Sequence, residues 1–423
     1  MRAWEFYPAP SENTPSHPGK TVTQTSETSS ATVHFDMYDR ELYAAPYEMY
    51  RRLRDEAPLY YNDEYEFFAV SRFDDAAQVL ADRTTFLSGK GSVYQIASRG
   101  IDMPDGLFIF EDPPGHPIHR SLVARLFTPR AISRLEPQIF EFFDRAAEDL
   151  VGRDHFDFVE DFATMLPMRV IGLLLGLPEK DFAHLRSTFH QSQNADTANS
   201  ERESFGGTRA VAGVFNEYLE FRLANPTDDM MTELLHVEFE DATGTRRQLR
   251  REELLTFLTL IAAAGSDTTV NALAWAGMLL GEHADERRKL VADPTLIPNA
   301  VEEVLRFEPP SYHIARTAAH DVEMHGRTVA AGSIVIALPG AANRDERQHV
   351  DGDVFDVSRK PSQQLTFSFG PHFCLGASLA RLETRIAIEV FLERFPDWTV
   401  DRQVAKMTKG IDTRGWDTVP VAV

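Results

Sequence analysis

The chain is 423 residues long, with 43% apolar and 26% charged residues, the balance of a globular protein able to bury a substantial core. A formal charge of -22 at pH 7 disfavours nonspecific attraction to nucleic acid or anionic lipid, and a single cysteine forbids an intramolecular disulfide. No uninterrupted apolar run approaches a membrane span, the densest being 170–177, and no basic-then-apolar export signal opens the chain, so no nucleic-acid partner and no membrane anchor are expected and the expected location is cytoplasmic.

Residues 1–33 are rich in Ser, Thr and Pro without an apolar period, which predicts a disordered tail ahead of one domain over 34–423. Order is expected to begin near Tyr38, where Leu42, Tyr47, Tyr50 and Leu53 take helical spacing and Pro58 ends the run. Residues 67–70 have strand composition. Pro113-Pro114 excludes helix before it, and the helical pattern beyond puts His116 and Arg120 four apart on one face. Further helices are predicted over 131–150, 165–175, 211–223, 252–281 and 299–306. Over 322–338 the pattern turns to β: Val322 and Met324, a His325-Gly326 turn, Val329, then Ile334, Val335 and Ile336. The chain reads as mainly α with a small β portion.

The one cysteine, Cys374, sits in Phe367-Ser-Phe-Gly370-Pro-His372-Phe-Cys374-Leu-Gly376, ahead of the amphipathic series Leu379, Ala380, Leu382, Ile386, Ile388. A thiol ligates metal only as thiolate, and the unpaired N–H groups of a helix's first turn favour an anion there. Gly370 permits a sharp turn, and Gly376 omits a Cβ where a flat ligand would approach the backbone. The alternative is a buried structural cysteine, and the neighbours favour the metal ligand.

Two other segments break local rules. The long helix predicted over 252–281 carries Ala262-Ala263-Ala264-Gly265-Ser266-Asp267-Thr268-Thr269 at its middle, where Gly and a charge are unfavourable unless they serve a function. Small side chains there leave room for a ligand, and Asp267 with Thr268 supplies an acid and an alcohol able to relay protons. The alternative is a Thr bonded to the carbonyl one turn back with Asp at a solvated edge. Glu303 and Arg306 share a helix face, and Arg316 beyond Pro309-Pro310 is either an anchor for an anionic ligand or a surface arginine. Arg120, Arg125, Arg130, Arg381 and Arg385 form either a local basic patch near the cysteine or ordinary solvated helix faces.

Together these segments resemble the cytochrome P-450 family, specifically its soluble bacterial members, over nearly the whole chain from Tyr38 onward. Phe367, Gly370, His372, Cys374 and Gly376 fit the family's haem-binding loop, with Pro371 a small departure that stiffens a turn. Ala264-Gly265-Ser-Asp267-Thr268-Thr269 fits its oxygen-activation segment, Glu303 and Arg306 its Glu-x-x-Arg ion pair, Phe355-Asp356 and Arg359 the loop that locks that pair, and Ala342-Asn343-Arg344-Asp345 a common bacterial stretch. The resemblance implies the P-450 fold, haem b (iron protoporphyrin IX) as cofactor between the long central helix and the helix of the cysteine loop, and Cys374 as its proximal thiolate. It implies that His116, Arg120, Arg316 and His372 hold the propionates, that Phe367, Gly376 and Ala264 border the cofactor, and that Asp267 and Thr268 deliver protons to bound oxygen.

The activity that the resemblance implies is that of a haem-thiolate monooxygenase, inserting one atom of O2 into an apolar small molecule such as a steroid, terpenoid, fatty acid or aromatic acid. A noncatalytic haem or lipid binder and a peroxide-driven peroxygenase are the alternatives, and the Asp267-Thr268 pair argues against both. No reductase-like segment fits within the chain, which implies electrons from a ferredoxin and its NAD(P)H-dependent reductase. The resemblance places the substrate pocket among the loop 88–110, including Phe110, the helices near Phe189 and Phe215, Ala263 and Ala264, Tyr312 and His313, and the turn at Ile411, a mostly apolar lining.

Overall fold

A 32-residue helix, Arg251–Glu282, runs through the centre of the protein and organises the rest. In this computed structural model it packs against Leu166–Leu175, Gly206–Ala224, Ile297–Phe307 and Ala377–Arg394. The structure describes residues 33–100, 103–182, 187, 206–227, 229–410 and 412–423. The expected tail, the pocket residue Ile411 and the position Phe189 lie outside the described residues, while residues Val33–Val423 cluster as one compact unit. By length and composition the central helix is apolar enough to cross a membrane, yet 61% of its most apolar window is buried inside the protein, as in a core helix.

The helices follow the apolar periods, and prolines correct their ends. The expected helix over 131–150 is two, Pro129–Ser133 and Glu136–Glu148. Pro137 is the reason: its ring would clash with the carbonyl of Ser133, so the chain turns between them and restarts with proline in the first turn. Pro46 likewise divides the first helical run into Arg40–Ala44 and Tyr47–Glu56.

The β portion is less local than the sequence pattern suggests. Val322–Met324 and Arg327–Val329 form the expected hairpin, with His325 and Gly326 both at positive φ in the turn. Ile334–Ala337 instead enters a five-stranded sheet ordered Leu59–Asn62, Phe67–Val70, Ile334–Ala337, Ile314–Ala318, Phe86–Leu87. It runs parallel to Phe67–Val70 and antiparallel to Ile314–Ala318, with Val335 opposite Arg316. That pairing fixes Arg316 in the middle of a buried sheet.

Candidate functional site

The cysteine loop is held from behind by an ion pair with no unused polar atom. Glu303 and Arg306 form a bidentate pair at 2.7 and 2.8 Å, both buried. Arg306 also donates to the carbonyls of Asn343, Gly352 and Val354, while Glu303 accepts from Asp356 N–H and Arg359 Nε. A buried pair is stabilising only when its remaining donors and acceptors are satisfied, as they are here. Asn343 carries the support onward: its Oδ1 accepts from Leu365 N–H at 2.7 Å and its Nδ2 donates to Thr366 Oγ1, which donates to Leu305 O. These contacts set the first residues of the cysteine loop. The sequence offered Asn343 only as part of a resembling stretch, without a role.

Beyond Leu365 the loop turns sharply. Ser368 and Gly370 both take positive φ, and a Cβ at Gly370 would stand 2.7 Å from the Ala81 backbone. Cys374 N–H bonds Phe367 O at 2.8 Å, and the helix Ala377–Arg394 begins immediately after, capped by Gly376. The backbone N–H groups of Gly376 and Ala377, with the charges of Arg120 and Arg381, pull the thiol pKa down, but burial outweighs them and leaves it above its ordinary value. The residue is nonetheless accessible. Accessible surface on a thiol so deeply surrounded belongs to an internal cleft. A Cβ on Gly376 would meet nothing nearer than Cys374 Sγ at 4.0 Å, so it too faces that cleft.

The central helix shows the same signature. It is unbroken through its small-residue centre, and Ala263 and Ala264 are exposed although the turn before them is largely buried and the turn after them half-buried. Gly265 serves a different purpose from the ligand room expected of it: a Cβ there would lie 2.7 Å from Ile171 Cδ1, so glycine lets the helix Leu166–Leu175 pack close. Thr268 Oγ1 donates to Ala264 O at 2.7 Å, so its proton is engaged and its lone pairs remain to accept. Asp267 is partly buried beside it.

Four cationic or potentially cationic side chains meet at the edge of the cleft. His116 and Arg120 project from the helix Gly115–Ala124, Arg316 from its sheet, and His372 from the turn Gly370–His372. The His116 and His372 rings stack with centroids 4.0 Å apart, and Arg120 Nη2 donates to Phe373 O at 2.5 Å. Burial, together with the neighbouring guanidiniums, pushes His116 down to about 4 and His372 to about 2, so both are neutral at pH 7. Burial also lowers Arg316 to about 10, and that residue is 2% exposed. Its guanidinium donates to Ala315 O, and the nearby acid Asp112 spends its two oxygens on the N–H groups of Ser88 and Gly89. Among the described residues neither Arg120 nor Arg316 forms an ion pair, and His116 Nε2 has no hydrogen-bond partner. Buried cations without counter-ions are costly unless an anion completes them. The cradle therefore fits a flat group with carboxylates on one edge and a metal cation reaching the thiol, which is the chemistry of haem.

The cytochrome P450 family profile matches residues 165–412. A putative cytochrome P450 123 of Mycobacterium tuberculosis (strain H37Rv) is 35% identical over 395 residues, covering 92% of this chain and 96% of that protein. The chain belongs to the cytochrome P450 family. Among solved structures, the P450 CYP109Q5 from Chondromyces apiculatus is similar with a TM-score of 0.82 and 31% identity, over 92% of this chain and 97% of that one. A mutant of P450 EryK in complex with erythromycin B gives 0.80 and 31%, over the same shares of the two chains. The protein is thus a P450 monooxygenase of bacterial type with the P450 fold, it takes haem b, and it acts with O2, a small-molecule substrate and a redox partner.

The remaining candidate positions of this P450 fall in two groups. Phe110 packs with Ile96 and Leu107 against Leu260, one turn before Ala263 on the central helix. Tyr312 and His313 are both 2% exposed. Tyr312 meets Tyr43 edge to face in an aromatic cluster, and His313 Nε2 accepts Tyr94 N–H at 3.1 Å. Phe367 lies under the Arg381 guanidinium, 4.4 Å from its ring centre. The basic patch is largely spent on neighbours: Arg125 pairs with Glu233, Arg381 with Glu302, and Arg385 with Glu136 and Glu389.

Proposed function

We propose that this P450 hydroxylates an apolar small molecule of the steroid, terpenoid, fatty-acid or aromatic-acid kind, with Cys374 as the thiolate ligand of the haem iron and a ferredoxin with its NAD(P)H-dependent reductase as electron source. The observation that carries the reading is the pair of ion-pair-free arginines and two neutral histidines at the edge of the cleft that Cys374 faces. Haem, when bound, supplies the iron at which dioxygen is reduced and one of its atoms passed to a C–H bond. His116, Arg120, Arg316 and His372 would hold the propionates through charge-assisted bonds worth roughly 1.5–3 kcal/mol each, enough to fix orientation. Phe367 and Gly376 would border the proximal face and Ala264 the distal one. Cys374, whose thiol burial holds above its ordinary pKa, would be held as thiolate beside a metal cation, its proton passing to solvent. Thr268, its own proton held by Ala264 O, would accept a hydrogen bond on the cleft side of the central helix, with Asp267 as the acid that supplies protons. Ala263, Ala264 and Phe110 suit an apolar substrate.

Replacing Cys374 with Ser tests the ligand. The expected result is loss of the strongly red-shifted absorption band of the reduced carbon monoxide complex in protein that still folds. Persistence of that band would remove Cys374 from the iron.

A further inference from the structure

Beside the cradle, one carboxylate gathers three parts of the chain. Glu111 ends the loop 103–111, just ahead of the helix Gly115–Ala124, which carries His119. His119 Nδ1 lies 2.8 Å from both Glu111 carboxylate oxygens, and Gly106 N–H donates to Oε1 at 2.8 Å. The two side chains are only 10% and 15% exposed. Gly115 makes room for the carboxylate, since a Cβ there would stand 3.4 Å from Oε2. The Glu111 backbone in turn reaches the His372 ring of the cradle. Gly106 already uses the carboxylate as an acceptor, and an Nδ1 equidistant from both oxygens suits a proton on the ring nitrogen rather than on either oxygen.

What surrounds the pair gives it a purpose. The His119 ring meets Phe257 of the central helix and Phe239 of the hairpin 238–248 edge to face, with centroids 5.8 and 6.1 Å apart. Gly106 passes so close to Phe257 that a Cβ would stand 3.2 Å from its ring, and Phe108 packs on the same ring at 5.5 Å. The loop is thereby bent back onto the central helix, and Leu107 and Phe110 form an apolar wall against Leu260, one turn before Ala263. Its backbone bonds are short turns, and its exposed Asp105–Arg250 ion pair holds little in water. The Glu111 carboxylate is the buried polar anchor, and a buried carboxylate is tolerated only while its hydrogen bonds are made.

We propose that Glu111 and His119 are positioning residues for the oxidation: the Nδ1–H to carboxylate contact sets the loop 103–111, and with it the wall at Leu107 and Phe110 against which the unreactive part of an apolar substrate rests. This rests on the P450 reading above. It adds that a hydrogen bond, and not apolar packing alone, holds that wall in place.

The haem-loaded enzyme is titrated with imidazole and with 1-octylimidazole, which share the ring that shifts the haem absorption band and differ only in an apolar tail. His119→Leu keeps apolar bulk against Phe239 and Phe257 and removes the donor, whereas His119→Asn returns a donor nitrogen near the place of Nδ1. The preference for the octyl probe is expected to fall about tenfold in His119→Leu, the equivalent of ~1.4 kcal/mol, and to recover in His119→Asn. Hydrogen exchange at the Gly106 amide should quicken in the first variant and not in the second. If His119→Leu does not hold haem, the double variant Glu111→Leu/His119→Leu, which strands no buried carboxylate, is read in its place. A preference that holds or rises once the donor is removed, or an equal loss in the Leu and Asn variants, overturns the proposal. A wild-type enzyme that gives no imidazole-induced shift overturns the haem reading beneath it instead.

Discussion

Glu383, nine residues after the cysteine, is 1% exposed, and its Oε2 has no partner. Burial alone raises its pKa well above the ordinary carboxylate value, so the folded protein holds a proton that the unfolded chain releases above about pH 4.3. For such an acid the stability is full below the unfolded pKa and is lost as pH rises toward the folded one. Glu383→Gln, with nothing to ionise, is expected to flatten the fall in unfolding free energy between pH 5 and pH 8, measured by denaturant titration at each pH. Nothing in the pattern Ala380-Arg-Leu-Glu383 distinguishes this side chain from a solvated helical glutamate, because desolvation is set by what packs on it. Thr268 was readable to a greater degree: its position among small residues signalled function, but which way its proton points required the 2.7 Å bond to Ala264 O. In Thr268→Ala the accepting oxygen is lost, and product formed per electron consumed should fall by about tenfold with hydrogen peroxide rising in proportion. Unchanged coupling would sink the role given to Thr268.

At the scale of the element, the central helix shows how one motif serves two faces. Ala263 and Ala264 leave room on the cleft side, while Gly265 admits Ile171 on the other. Gly265→Ala gains about 1 kcal/mol in helix propensity. It also forces a methyl against Ile171, a 2%-exposed core residue, at an overpacking cost of roughly 1–3 kcal/mol. The expected net effect is a destabilisation of up to about 2 kcal/mol by chemical denaturation, with azole affinity unchanged. A loss of azole affinity without a loss of stability would return Gly265 to the cleft. Helix existence was legible from apolar period, and the miss at 131–150 had a visible cause in Pro137. The union of Phe67–Val70 with Ile334–Ala337 was not legible, since pairing across some 270 residues leaves no local mark.

For the whole molecule, a net charge of -22 makes any unspent cation near the cysteine loop conspicuous to an electron-donor protein. Arg125, Arg381 and Arg385 are paired, whereas Arg130 and Arg134 are exposed and form no ion pair among the described residues. Arg130 lies in the helix Pro129–Ser133 and Arg134 caps its C-terminus, and this helix packs against the helix that follows Cys374. Arg130→Glu is therefore expected to slow reduction by a ferredoxin several-fold at low salt and less at high salt, and Arg125→Glu to slow it less. Equal effects of the two substitutions would show that the ion pair with Glu233 does not mask Arg125. The sequence by itself determined the family and the cofactor, because those depend on rare residues at fixed local spacing around Cys374, Thr268 and Glu303. Only the tertiary structure decided that Arg316 is buried without a counter-ion among the described residues and that the basic patch is mostly spent. The physical reason is that charge, desolvation and hydrogen-bond satisfaction are properties of neighbours brought together from distant parts of the chain.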